Sequence, residues 1–189
     1  MSSFVDHTLK PGTPFRLLRA QAFAVCVAAG LALTGCVESA TPIVMDAKPL
    51  LGQQFNVHLY EDFTDGKPRN FHAASYRWAN GEYVRASGFG SDAKKFVAEP
   101  LAGSDFVIQS TDEQGKRFVF WIGRKLYDGA YLVFALDMMD ADEATRKRVC
   151  GGDQVDICRI ATHEQLMIMA RATAAKPPRE PVLGVVIAK

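Results

Sequence analysis

The chain has 189 residues and a mass of 20.7 kDa; 22 Lys and Arg stand against 21 Asp and Glu, 48% of residues are apolar and 23% are charged. These are the proportions of a soluble globular domain, and they exclude a disordered, collagen-like or coiled-coil chain. A formal net charge of +1 gives no electrostatic reason to expect nucleic acid as a partner. No apolar run approaches the ~20 residues needed to cross a bilayer, so a polytopic membrane protein is excluded.

The first segment reads as an address. Lys10, Arg16 and Arg19 precede Ala22–Leu33, a stretch of 12 residues without a polar side chain. A basic region followed by a short apolar core and small residues is the pattern of a secretory signal. The stretch ends in Leu33-Thr34-Gly35-Cys36. This tetrad resembles the lipobox of bacterial lipoproteins, the end of a type II signal peptide, and matches it at all four positions. The resemblance covers the leader alone. It implies a diacylglyceryl thioether on Cys36, cleavage after Gly35 and acylation of the new amino group with a chain such as palmitate. Small residues at 34 and 35 let an extended backbone enter a peptidase site, and Cys supplies the thiol that forms the thioether. The basic region is longer than usual and holds Asp6 and His7, which points to a start codon downstream of Met1.

On this reading residues 1–35 are removed. Lys10, Arg16, Arg19 and Asp6 leave with them, turning the net charge of +1 into −1. With no polybasic patch, acyl chains on Cys36 must carry the attachment to the membrane, and two or three of them anchor durably. Residue 37 is Val rather than the Asp that retains enteric lipoproteins in the inner membrane. The resemblance therefore implies an outer-membrane lipoprotein facing the periplasm.

Residues 36–49 are short, mixed in character and interrupted by Pro42 and Pro49. They read as a tether from lipid to domain, with an edge strand over 43–45 as the alternative. Residues 50–189 then read as a single globular β-rich domain. Phe55–Tyr60 alternates apolar and polar residues, and 61–68 is rich in turn formers. Tyr76–Arg85 contains Asn80-Gly81 at its centre, a dipeptide suited to the positive φ angles of a type I′ hairpin. A two-residue turn pairs Trp78 with Tyr83, so that Tyr76, Trp78, Tyr83 and Arg85 share one face.

Further strands are expected over 95–99, 105–110, 117–122 and 130–136, with turns at 112–115 and 127–129. The segments 118–122 and 131–136 are apolar on both faces, so both faces must be covered and the strands are central. In the C-terminal third, Asp140-Ala-Asp-Glu143 fits a capping box for a helix to about residue 149. Residues 157–161 suit a strand. Thr162-His-Glu-Gln165 is a second capping box, opening a helix over 164–174 with Leu166, Met169, Ala170 and Thr173 as its stripe. A last β-rich segment covers 182–187. The fold class is α+β, mainly antiparallel β: a meander sheet, with a partly closed barrel as one form of it, and two short helices in the C-terminal third.

Motifs of chemistry are few. Cys150 and Cys158 are the mature chain's cysteines besides Cys36, and in an exported protein such a pair becomes a disulfide. A Zn²⁺ set with His163 and Asp153 or Asp156 matches no standard spacing. Gly88–Lys95 lacks the arrangement of a phosphate loop, and no nucleophile elbow is present. His58, His72 and His163 read as surface residues. The carboxylates Asp62, Asp65, Asp140, Asp142 and Glu143 are dispersed or serve a helix start. No catalytic residue, cofactor or metal ligand is assigned.

The aromatic face of Tyr76, Trp78, Tyr83 and Arg85 is one candidate binding surface, because flat rings stack on sugars or acyl groups and a guanidinium attracts anions. Core packing under the sheet explains the same four residues. The resulting expectation is a lipid-anchored envelope protein acting as a non-catalytic binding or assembly accessory, with an envelope protein or glycan as partner. The alternatives are a hydrolase of envelope polymers using a carboxylate pair, and a small-ligand carrier.

Overall fold

A computed structural model describes residues 36–61, 69–88, 94–112, 114–152, 157–176 and 183–188; the leader expected at 1–35 lies outside them. Residues from Thr34 onward cluster as one compact unit.

Eight strands run up and down in chain order: β2 (Gln54–Glu61), β3 (Arg69–Ala79), β4 (Glu82–Gly88), β5 (Lys95–Pro100), β6 (Asp105–Thr111), β7 (Phe118–Tyr127), β8 (Ala130–Ala135) and, after a helical excursion, β10 (Leu183–Ala188). β10 closes the ring. It pairs antiparallel with β8, Val185 opposite Tyr131, and with β2, Ile187 opposite Val57. The result is a closed, mainly antiparallel barrel. The meander expected from the sequence is therefore present, and the closure is complete.

Two short elements extend the wall. β1 (Cys36–Ser39) pairs antiparallel with β7, Glu38 opposite Val119, and parallel with β9 (Ile157–Arg159), Val37 opposite Cys158. The tether expected over 36–49 is thus replaced by folded chain. Val37, Glu38 and Ser39 are buried, as are Ile43 and Val44. Their backbone amides find partners: the amides of Ile43 and Val44 donate to Gln109 Oε1 at 2.7 and 2.9 Å. The buried Gln109 side chain occupies those amides, so 43–45 forms no strand of its own.

The hairpin at Asn80-Gly81 follows the sequence reading. Asn80 has φ 54° and Gly81 φ 83°, Ala79 faces Glu82, and Trp78 faces Tyr83. Such twin positive angles match the right-handed twist of the flanking strands.

The helices pack outside the barrel. A 3₁₀ turn (Met138–Asp140) leads into α1 (Glu143–Cys150). The cap of α1 is Asp142, whose carboxylate accepts from the Thr145 amide at 2.7 Å. It is not Asp140, which lies inside the 3₁₀ turn and is buried. α2 (His163–Ala174) starts at the expected box: Thr162 Oγ1 accepts from the Gln165 amide and Gln165 Oε1 from the Thr162 amide. Leu166, Met169 and Ala170 are fully buried. They pack with Val97, Val107, Phe120 and Ile122 from the outer face of β5–β7. Arg124 fixes the end of α2 by donating to the Ala174 carbonyl at 2.6 Å while forking onto Asp105.

Cys150 and Cys158 form a disulfide, with Cα atoms 4.8 Å apart. It joins the last residue of α1 to the middle of β9, and Gly151, at φ 81°, ends the helix between them. Closing so short a loop stabilises by roughly 2–3 kcal/mol. Mass spectrometry of the non-reduced protein is expected to show both thiols blocked to alkylation. Reduction is expected to lower the unfolding free energy by that amount, read as a lower denaturant midpoint at unchanged slope, and an unchanged midpoint contradicts the structural role.

Candidate functional site

Strand residues alternate between the two faces of a sheet, so a closed barrel sorts every residue into inward or outward. The registers place Phe55, Tyr76, Trp78, Tyr83 and Phe96 inward on β2–β5. On β6–β8 they place Ile108, Val119, Trp121 and Ala135 inward. The outward partners on β5–β7, Val97, Val107, Phe120 and Ile122, belong to the helix-covered core.

The two halves of the interior differ. Toward the end with the Asn80-Gly81 hairpin, rings fill the barrel. Tyr83 lies 4.8 Å from Trp78, 4.9 Å from Phe96 and 5.1 Å from Phe55, centroid to centroid, spacings typical of favourable ring pairs. Burial pushes the Tyr83 phenol up from its ordinary pKa. Its oxygen accepts from the Leu51 amide at 2.7 Å, which draws the 48–53 turn under the barrel as a plug. On the other side Phe106 lies over Gly123, where a Cβ would meet the ring at 2.3 Å, and packs edge-on against Tyr131.

Toward the opposite end the wall is mostly apolar, with Ser110 level with Val119. Ile108, Val119, Trp121 and Ala135 all retain accessible surface although they face inward. An eight-stranded barrel is just wide enough to be filled by side chains or to hold one small ligand.

The sequence-predicted candidates fall as follows. Tyr76, Trp78, Tyr83 and Arg85 do share one face, Tyr76 opposite Arg85 and Trp78 opposite Tyr83. That face is the inside of the barrel. Tyr76 is 5% and Tyr83 0% exposed, so they form the floor of the interior and not an outer binding surface. Closure of the ring turns their face inward. Trp78 and Arg85 are half-buried. Cys36 is half-buried at the start of β1. Cys150 and Cys158 serve the outer core. His163 Nε2 lies 2.9 Å from Glu99, and among the described residues no cluster of His, Cys, Asp and Glu could hold a metal. Asp62, Asp65, Asp153 and Asp156, the His72 side chain and the 89–93 loop lie outside the described residues.

Trp121, Ile108 and Val119 are the wall residues that sequence reasoning missed. The signal was present in the two-faced apolar segments at 118–122 and 131–136, since a strand covered on both sides has one face inside something.

The rim of the open half is charged. Glu38 is on the inner-facing side of β1, level with Val119, and accepts from Arg117 and, at 3.0 Å, from Arg159 Nε. The Arg117 hydrogen bond holds the Glu38 carboxyl below its ordinary pKa of 4.5, against the opposing effect of burial, with Arg159 adding to the lowering. The two guanidiniums share the Glu38 carboxylate, and Asp112 also acts on Arg117. Between α1 and α2 lies an open surface groove lined by Arg148, Thr162, Glu164 and Ile168; beneath it Gln165 donates to the Val149 carbonyl.

Comparison of the chain with protein-family models, with curated proteins and with solved structures finds no match.

A lowered carboxyl pKa contributes stability that is complete above the unfolded value and lost as pH falls through the folded one. Glu38→Gln is therefore expected to cost about 1–2 kcal/mol at pH 7, a modest figure because both arginines are partly exposed. The difference between the two proteins should shrink below pH 4.5. Urea midpoints at neutral and acid pH check this, and an equal difference at both contradicts it.

Proposed function

We propose that the chain is an exported bacterial envelope protein, anchored through acyl chains on Cys36, whose barrel is a non-catalytic carrier of a small apolar ligand. The observation that carries the ligand reading is the inner wall at Ile108, Val119 and Trp121, which is apolar and accessible inside a closed barrel. Apolar pockets with few polar groups suit small hydrophobic molecules. The leader and lipobox support the anchoring, and the disulfide suits an oxidising compartment.

The hydrolase reading has less support. Glu38, Glu82, Glu99, Asp105 and Asp128 are each ion-paired, and Asp142 caps a helix.

Two measurements test the proposal. The 36–189 domain carrying Cys36→Ser, titrated with cis-parinaric acid, is expected to give saturable fluorescence enhancement. Ile108→Trp, which fills the space, is expected to weaken binding by about tenfold or more, equivalent to ~1.4 kcal/mol, without lowering the melting temperature. Absent binding, or equal affinity in the variant, refutes the ligand reading. For the anchor, cells grown with an alkynyl fatty acid are expected to label the wild-type protein and not Cys36→Ala; label retained on the variant refutes lipidation at Cys36.

A further inference from the structure

The inner wall changes character between two adjacent steps of the sheet ladder. Cross-strand partners, and residues two apart on one strand, share a face. Phe106, Gly123 and Val133 thus form one inward step across β6, β7 and β8. Ile108, Trp121 and Ala135 form the next, about 7 Å further along the strands. All three residues of the first step are buried, Phe106 at 6% and Val133 at 8% exposure. All three residues of the second keep accessible surface, and so does Val119, one step further along β7. The accessible part of the wall therefore has a boundary, which falls between residues 106 and 108 of β6.

Phe106 makes that boundary. The far end of its ring lies over Gly123, where a Cβ would meet Cζ at 2.3 Å and the two Cε atoms at 2.4 and 2.9 Å. Any side chain at 123 would lift the ring off the wall, so the glycine is needed for close approach. The same ring meets Tyr131 edge-on, with centroids 5.6 Å apart and planes at 77°, a favoured aromatic arrangement. Contact with β7 through Gly123 and with β8 through Tyr131 holds the ring across three strands, as a shelf above Ile108 and Trp121.

We infer that Phe106 is the stop of the ligand site and sets the length of chain the barrel accepts. A hydrocarbon chain lying on Val119, Trp121 and Ile108 ends against its ring. This rests on the carrier reading above and narrows its ligand class to aliphatic chains selected by length. A wall of Ile, Val, Trp and Ala side chains ranks chains chiefly by the CH₂ groups they bury. Each buried CH₂ is worth about fourfold in affinity, the equivalent of ~0.8 kcal/mol. That gain ends where the ring stands. Gly123 is a positioning residue, acting on chain length through Phe106.

The test measures binding of saturated carboxylates, from octanoate to octadecanoate, to the 36–189 domain by isothermal titration calorimetry. Affinity for the wild-type domain is expected to climb about fourfold per CH₂ and then level off. Phe106→Ala is expected to carry the climb to longer chains. Phe106→Leu, which keeps most of the buried volume, is expected to move it in the same direction by less, and it decides the matter if the alanine variant does not fold. A levelling-off point that substitution of Phe106 leaves in place overturns the stop. A second measurement needs no ligand. Trp78 and Trp121 are the chain's two tryptophans, so Trp78→Phe leaves Trp121 as the reporter. Its quenching by acrylamide is expected to rise when Phe106→Leu is added, because the step above it is no longer closed. Raised quenching without carboxylate binding refutes the carrier reading and supports the stop. Binding with an unmoved levelling-off point and unchanged quenching refutes the stop alone. Neither binding nor a change in quenching refutes both.

Discussion

The fold depends on one strand near the end of the chain. β10 completes the ring by hydrogen bonding to β2 on one side and β8 on the other. Without it those two strands would be edges, and the sheet would be an open meander with rows of unpaired amides. With it, every strand residue is assigned to an inside or an outside. The pairing of β10 with β2 is also the barrel's longest-range contact in sequence, and such contacts form late because the loop entropy must be overcome before they are gained.

The two faces then do different work. The outside of β5–β7 is covered by α1 and α2, and outward residues of β1 and β9 join the same core, whose central members are Leu166, Met169, Cys158 and Val107. The disulfide and the Arg124 fork hold that cover in place. The inside is divided along its axis. Its hairpin end is filled by rings and plugged by the turn that reaches the Tyr83 hydroxyl. Toward its other end Ile108, Val119 and Trp121 keep accessible surface. β1 lies along the first residues of β7, with Ser39 opposite Phe118 and Glu38 opposite Val119.

Much of this was legible in sequence because it follows local rules. Alternation gave β2, the Asn80-Gly81 dipeptide gave the β3–β4 hairpin with its register, and the Thr162 box gave the start of α2. The misreadings share a cause, which is that pattern reports a local surface and not what later covers it. Residues 36–49 look like a linker because their apolar residues are scattered. They are fixed by distant partners: β7, β9 and the Gln109 amide. The choice of Asp142 over Asp140 as cap turned on an intervening 3₁₀ turn that burial selects. The face of Tyr76, Trp78, Tyr83 and Arg85 was found correctly, yet whether it was outside or inside depended on ring closure by β10. The accessible wall at Trp121 was hidden for the same reason.

The central claim is that the half of the barrel remote from the hairpins holds space an apolar chain can enter. Methyl-resolved NMR of the 36–189 domain during titration with dodecanoate tests this directly, because alternation places neighbouring methyl groups on opposite sides of one wall. The account predicts saturable shifts at inward Ile108 and Val119, with outward Val97 and Val107 unmoved. Shifts confined to outward methyls, or none at saturating dodecanoate, would contradict it.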